Sequence, residues 1–236
     1  MHVAAGLATC ALLFPFLGQS RRNGHIRRWS RRLLRICNVS VEQEGGADAL
    51  AHAMIVANHV SWLDIFVINA LHPSRFVAKA EIRAWPVLGW LAAKAGTVFI
   101  ERGQRRELRQ LFKNLVTSLQ AGERVAFFPE GTTGAQGGLL PFHANLFEAA
   151  VDAAVPVQPY ALVYTDHAGA LHHAVDFLGE MTFAASMVEI LSGPPVRARL
   201  TCLAPLRGKA RRELAQRSQD AIAAVLAPFA RAEAAR

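Results

Sequence analysis

A histidine and an aspartate five residues apart, His59 and Asp64, are the residues whose types and spacing best suit catalysis. A carboxylate that hydrogen-bonds one imidazole nitrogen fixes the tautomer of the ring and stabilises its charged form. The second nitrogen can then take a proton from a hydroxyl group. On one ideal helix, residues five apart point about 140° away from each other. We therefore expect His59 in a turn and Asp64 in the first turn of the following helix, with Ser61 at its N-cap.

The same residues also fit a purely structural role. Ser61 and Asp64 form the Ser-x-x-Asp pattern of a helix capping box, in which the acid serves only the end of the helix. The spacing of His59 and Asp64 alone leaves catalysis and helix capping equally open.

Two further groups of polar residues follow predicted strands. Arg102 ends the stretch GTVFIER, and its planar guanidinium suits a phosphate or a carboxylate, although a surface ion pair is the plainer alternative. Glu130, Gly131 and Thr132 follow a buried strand in the stretch FFPEGTTG. Such a turn can offer backbone N–H groups and a carboxylate to a polar ligand, or it can be an ordinary β-turn.

Strands and helices must alternate to position these residues. Short apolar runs predict strands at residues 53–57, 75–80, 97–100, 125–128, 157–164 and 196–203. Helical spacing or composition predicts helices at residues 62–71, 85–95, 105–120, 144–154 and 209–232. This order predicts an α/β fold: a single domain, residues 41–236, with a mainly parallel or mixed sheet flanked by helices.

Residues 1–40 predict a membrane-associated helical segment that precedes the domain. Residues 3–18 carry no charge but are shorter than the ~20 residues that span a bilayer. Residues 25–36 then place apolar residues at helical spacing and arginines on the other face, which is typical of a helix lying among lipid headgroups. The positive-inside rule predicts the cytoplasmic face of the membrane. A solvated basic helix packed on the domain is the structural alternative.

Composition excludes several classes of protein. A chain of 236 residues that is 52% hydrophobic and 19% charged is not disordered. The net charge of +8 arises almost wholly from the seven arginines of residues 1–40. A nucleic-acid-binding arm is a further alternative for these arginines, and the apolar residues before them weigh against it. Three widely spaced cysteines and no CxxC pair indicate neither a disulfide framework nor a zinc site. Without a GxSxG stretch, a serine hydrolase is disfavoured.

Four blocks in order, NHVSWLD, GTVFIERG, FPEGTT and VPVQPYAL, resemble the lysophospholipid acyltransferase family, which includes the 1-acylglycerol-3-phosphate acyltransferases. The resemblance covers residues 25–205 and implies that His59 is the general base and that Asp64 orients it. It also implies that Arg102, Glu130, Gly131 and Thr132 hold the acyl acceptor. Implied partners are a membrane lysolipid and acyl-CoA or acyl-carrier protein as donor, with no metal, no other cofactor and no nucleic acid.

One departure concerns the acceptor. The common FPEGTRS of the family has arginine and serine where this chain has Thr133 and Gly134. The threonine variant, and the later stretch FLGEMTF at residues 177–183, are similar to a subset that includes lyso-ornithine-lipid acyltransferases. We expect 1-acyl-sn-glycerol-3-phosphate as acceptor, giving phosphatidate, with a lyso-ornithine lipid as the alternative. A catalytically inactive lipid-binding protein with the same fold is the alternative from another class.

Overall fold

The computed structural model describes residues 1–85, 87–100 and 105–235. The strands are β1 Val39–Gly46, β2 Met54–Ala57, β3 Arg75–Lys79, β4 Val98–Ile100, β5 Val125–Phe127, β6 Val157–Thr165 and β7 Val196–Cys202. The α-helices are α1 His2–Ala8, α2 Gln19–Ile36, α3 Leu63–Leu71, α4 Leu88–Lys94, α5 Arg105–Gln120, α6 Glu148–Asp152, α7 Phe183–Ser192 and α8 Arg211–Ala234. Single turns of other helix types follow α1 and precede α4, α6 and α7.

The described strands form one seven-stranded sheet in the order β1-β7-β6-β2-β5-β3-β4. Every neighbouring pair is parallel except β6 and β7, which run antiparallel. The predicted α/β class with a mainly parallel, mixed sheet is confirmed. In a parallel sheet the carboxyl ends of the strands share one edge, where the connecting loops can form a site.

Helices cover both faces of the sheet. On one face, Leu34 of α2, Leu63 of α3 and Ile190 of α7 belong to one buried cluster with residues of the strands. On the other face, Leu115 of α5 and Leu214 of α8 pack with Met54 and other strand residues. All four residues of β2 are buried, because a central parallel strand meets a helix layer on each side.

The structure corrects several predicted elements. The predicted helix 85–95 begins only at Leu88, so that Trp85 precedes it. The predicted helix 144–154 is a short 3₁₀ turn, Asn145–Phe147, followed by the five residues of α6. The sequence patterns predicted neither β1 nor α7. Strand β1 is a largely exposed edge strand without an apolar run, and α7 lies in a segment for which no strand or helix was predicted.

The N-terminal segment is helical and partly packed on the domain. Trp29 of α2 stacks on the imidazole of His2, with ring centroids 4.5 Å apart, and lies 5.7 Å from the ring of Phe66 in α3. Side chains farther out are exposed, including Leu12 at 67% and Phe16 at 86%. Among the residues described, no helix combines the length and the apolar character needed to cross a bilayer.

Candidate active site

His59 lies in the loop between β2 and α3, at the edge where the carboxyl ends of the parallel strands meet. The preceding residue, Asn58, is buried and holds this loop against β6. Its side-chain amide donates to the carbonyl oxygen of Leu162 at 2.9 Å and accepts from the N–H of Leu162 at 2.8 Å. The side chain of Asn58 thus continues the backbone pairing of β2 by one residue and fixes where the turn starts.

Asp64 contacts His59 as the sequence predicts. Nδ1 of His59 lies 2.7 Å from Oδ2 of Asp64, whose side chain is fully buried in the first turn of α3. The same oxygen accepts the backbone N–H of Val60 at 2.8 Å and of Ser61 at 3.0 Å. Because Nδ1 faces the carboxylate, Nε2 is the nitrogen that can take a proton from a substrate. The His59 side chain is 19% exposed, so the ring is accessible from one side.

The capping arrangement differs slightly from the predicted one. Helix α3 begins at Leu63 with Trp62, not Ser61, at the N-cap position. The Ser61 hydroxyl accepts from the N–H of Leu63 at 3.4 Å, and Asp64 accepts from the N–H of Ser61. The capping contact and the contact with His59 use the same carboxylate oxygen, so one side chain makes both contacts.

Glu130 is buried directly beneath the His59 loop. One carboxylate oxygen accepts the backbone N–H of His59 at 2.7 Å, and the other accepts the N–H of Leu140 at 2.8 Å. Burial raises the pKa of Glu130 above its ordinary value, and these two N–H groups act in the opposite direction. Both oxygens face the protein backbone, so the carboxylate links the turn after β5 to the turn that carries His59.

The rest of the turn after β5 also faces the His59 loop. The N–H of Gly134 donates to the carbonyl oxygen of His59 at 2.8 Å. Gly131 has a φ of +70°, a conformation that glycine adopts readily, and a Cβ there would lie 3.3 Å from the His143 ring. Thr132 is exposed. The place of His143 beside Gly131 depends on how the chain folds back after the turn.

Thr133 reaches a different part of the chain. Its hydroxyl donates to the carbonyl oxygen of Phe177, and the N–H of Phe177 donates to the carbonyl oxygen of Val60 at 3.0 Å. The stretch at residues 177–183 is therefore held against both the turn after β5 and the His59 loop. Thr133 and the stretch at residues 177–183, the two sequence features that resemble the lyso-ornithine-lipid acyltransferase subset, thus touch each other.

The predicted acceptor-binding Arg102 lies outside the described residues. It follows β4, whose last residue, Ile100, pairs with Lys79 at the end of β3. Lys79 is exposed and brings an ammonium group to the same edge as His59, although the sequence analysis did not select it. Within the described part of the chain, no three His, Cys, Asp or Glu side chains are grouped so that they could hold a metal ion.

Tyr164 is the contact of the dyad that the sequence analysis missed. Its hydroxyl donates to Oδ1 of Asp64 at 2.5 Å, from a strand 100 residues farther along the chain. Local spacing contains no signal for such a pair. The last of the four blocks, VPVQPYAL, ends two residues before Tyr164.

Known proteins resemble this chain in sequence. A family model described as Acyltransferase matches residues 38–163. The 1-acyl-sn-glycerol-3-phosphate acyltransferase of Neisseria meningitidis serogroup B is 44% identical over 151 residues, which are 63% of this chain and 58% of that protein. The lyso-ornithine lipid O-acyltransferase of Pseudomonas aeruginosa is 38% identical over 199 residues, which are 83% of this chain and 76% of that protein. The chain thus spans a little over half of the first relative and three quarters of the second.

A solved structure resembles the fold. The crystal structure of the 1-acyl-sn-glycerophosphate (LPA) acyltransferase from Thermotoga maritima covers 96% of this chain at a TM-score of 0.68, with 20% sequence identity. The match extends over 87% of that chain. At this identity the structural similarity shows the fold alone. The family model and the sequence similarity to the Pseudomonas relative show that the chain belongs to the acyltransferase family.

Proposed function

We propose that this protein is a membrane-associated O-acyltransferase that transfers a fatty acyl group from a thioester, acyl-CoA or acyl-carrier protein, to the free hydroxyl of a lysolipid. The observation that carries the proposal is the contact between Nδ1 of His59 and the buried carboxylate of Asp64. This contact leaves Nε2 of a partly exposed imidazole to act as a general base. The names of the relatives support the same reaction.

In the proposed mechanism, Nε2 of His59 takes the proton from the acceptor hydroxyl while its oxygen attacks the thioester carbonyl carbon. A new C–O bond forms, and the tetrahedral intermediate collapses as the C–S bond breaks. The imidazolium then returns the proton to the departing thiolate. Asp64 stabilises the imidazolium throughout, which is the role a buried carboxylate has in a catalytic dyad. No acyl-enzyme forms.

The proposed acceptor is 1-acyl-sn-glycerol-3-phosphate, as in the Neisseria relative. The groups proposed to hold its headgroup are Arg102, the turn Glu130–Thr132, and the exposed Lys79 at the end of β3. An arginine or lysine suits a phosphate. Because both oxygens of Glu130 accept backbone N–H groups, its proposed contribution is to shape this turn.

A lyso-ornithine lipid is the second candidate acceptor, and one specific observation favours it. Thr133, which stands where the common family pattern has arginine, donates a hydrogen bond to Phe177 in the stretch at residues 177–183. That hydroxyl is used inside the protein and does not replace the charge of a guanidinium. The similarity to the Pseudomonas relative also extends over more of the chain.

Membrane association is proposed on the exposed surface of the N-terminal segment. Leu12 and Phe16 expose large apolar side chains beside a helix, α2, whose exposed arginines include Arg28, Arg32 and Arg35. Apolar side chains next to cationic ones suit the boundary between acyl chains and anionic headgroups. We propose that this surface holds the protein on the cytoplasmic face, where the lysolipid hydroxyl can reach His59.

The test is an acyl-transfer assay with the full chain in membranes. Labelled acyl-CoA and acyl-carrier protein are offered separately, each with lysophosphatidate or with lyso-ornithine lipid. His59→Ala should lower the rate by roughly 10²- to 10⁴-fold, as loss of a general base does. His167→Ala, a change at an exposed loop histidine, is the matched control and should retain the rate. Equal rates in wild type and His59→Ala would refute the mechanism.

A further inference from the structure

The hydroxyl of Tyr164 donates a hydrogen bond of 2.5 Å to Oδ1 of Asp64. Among the described residues, no other side chain donates to this oxygen. Both side chains are fully buried. The other carboxylate oxygen, Oδ2, accepts Nδ1 of His59 and the N–H groups of Val60 and Ser61. Asp64 therefore has its two oxygens divided between two different parts of the fold.

The register of the sheet brings Tyr164 to this position. Strand β2 ends at Ala57, opposite Tyr160, whereas β6 continues to Thr165. The Asn58 side chain holds the first part of this extension through both backbone groups of Leu162. Tyr164 is four residues beyond Tyr160 and so points to the same face of the sheet, over the turn that carries His59.

The contact constrains the rotation of the Asp64 carboxylate. A carboxylate can exchange its two oxygens by rotating about its last side-chain bond. The donors on Oδ2 resist this rotation from one side of the group, and the Tyr164 hydroxyl on Oδ1 resists it from the other. A buried oxygen without a donor is costly, so the Tyr164 hydroxyl favours one orientation of the group. Burial, and then the negative charge of Asp64, raise the pKa of Tyr164, so the hydroxyl stays protonated and remains a donor.

We propose that Tyr164 is a positioning residue for acyl transfer: its hydroxyl orients the Asp64 carboxylate, which in turn holds the His59 imidazole with Nε2 toward the substrate. This role rests on the proposed function of His59 as the base. Tyr164 itself does not touch the reacting atoms.

The kinetic test compares two tyrosines of one strand. Tyr164→Phe removes the donor, whereas Tyr160→Phe removes a buried hydroxyl that has no hydrogen-bond partner among the described residues. Loss of a hydrogen bond to a charged group should lower kcat by about 10- to 100-fold in Tyr164→Phe. KM for the acceptor should stay within about twofold, because no substrate contact is removed. Tyr160→Phe should retain kcat.

A double-mutant cycle separates positioning from general structural support. In an Asp64→Ala background the Tyr164→Phe change should have little further effect on the residual rate, because the side chain that Tyr164 orients is already absent. A loss of the same size in both backgrounds overturns the proposal, as does wild-type kcat in Tyr164→Phe.

A spectroscopic measurement makes the test independent of the reaction. With ¹⁵N-labelled histidine in detergent-solubilised full-length protein, the ring resonances of His59 are identified by their loss in His59→Ala. Tyr164→Phe should shift them, and Tyr160→Phe should not. Unshifted resonances in Tyr164→Phe overturn the proposal. If wild type transfers no label but the shift occurs, the acyltransferase function fails while the orienting contact stands.

Discussion

The ring of Phe128 lies flat against the imidazole of His59, with centroids 3.9 Å apart and planes inclined by 6°. Phe76 packs behind Phe128, with centroids 5.8 Å apart. Asp64 holds His59 through Nδ1 in the plane of the ring, so this stacking limits the rotation of the ring about that hydrogen bond. Phe128 thus supports His59 from the end of one strand, while Glu130 shapes the turn that follows.

The stacking predicts that Phe128→Leu will lower kcat by about 2- to 10-fold, because a stacked aromatic pair contributes about 0.5–1.5 kcal/mol beyond its buried area. Leucine keeps an apolar side chain under the histidine but has no planar face. Phe128→Tyr should retain most of the rate, since the ring remains. The measurement is steady-state acyl transfer with both variants, and an unchanged kcat in Phe128→Leu would show that the stacking is incidental.

Glu130→Gln should lower both the free energy of unfolding and kcat. Glutamine has one acceptor oxygen, so its NH₂ group must oppose the N–H of either His59 or Leu140. An unsatisfied buried donor costs about 1–3 kcal/mol. Urea unfolding measures the first effect and acyl transfer the second, with Glu189→Gln on the exposed side of α7 as control. A rise in acceptor KM with normal kcat and stability would instead indicate a direct headgroup contact.

Thr133→Val should alter the choice of acceptor. Valine keeps the branched shape of threonine but cannot donate to Phe177, so the stretch at residues 177–183 loses its hydrogen bond to the turn after β5 and keeps the one to Val60. The ratio of kcat/KM for lysophosphatidate and lyso-ornithine lipid should change, whereas Thr133→Ser should keep it. The same ratio in all three proteins would mean that this contact does not affect specificity.

The exposed arginines of α2 should govern binding to anionic membranes. Each cation near an anionic leaflet contributes about 1 kcal/mol, so Arg28→Gln combined with Arg32→Gln should weaken binding by roughly 30-fold. The control removes the same charge at the exposed Arg207 and Arg212. Sedimentation with phosphatidylserine-containing vesicles at fixed salt measures both. If both pairs of substitutions weaken binding equally, binding depends on the net charge of the protein and not on the N-terminal segment.

His72 should make the protein less stable in acid. Burial, followed by the charges of Arg124 and Arg27, lowers the pKa of His72 from 6.5 to about 4. Between these values the unfolded chain takes up a proton that the folded protein excludes, so the free energy of unfolding falls as the pH is lowered through this range. Urea midpoints at several pH values should fall less steeply in His72→Gln. Parallel curves for the two proteins would contradict the prediction.

The local part of the candidate site was predictable because it depends on a few neighbouring residues. The five-residue spacing predicts a turn that holds His59, followed by a helix with Asp64 in its first turn, and the structure shows that arrangement. The alternation of apolar runs with helical stretches likewise predicted the α/β class and most elements to within a few residues. Edge strand β1 was missed because few of its residues are buried, and hydrophobic patterns reflect burial.

The helical pattern of the arginine-rich N-terminal segment is compatible with packing on the domain and with contact with a membrane. Its helical periodicity correctly predicted a helix, yet amphipathic spacing cannot distinguish packing on a protein from contact with a lipid surface. In the structure, Trp29 and Leu34 pack inward while most of the arginines and the outlying apolar side chains stay exposed. The segment therefore has features of both alternatives.

Residue order alone established the four blocks, the positions of His59 and Asp64 in a turn and a helix, and the charge separation between residues 1–40 and the domain. Tertiary structure decided which groups surround the dyad. Strand order places β2 between β6 and β5, so Tyr164 and Glu130 approach the His59 loop from opposite neighbours. Side-chain contacts across a sheet depend on strand order and register, and pairs separated by 71 and 100 residues leave no periodic trace along the chain.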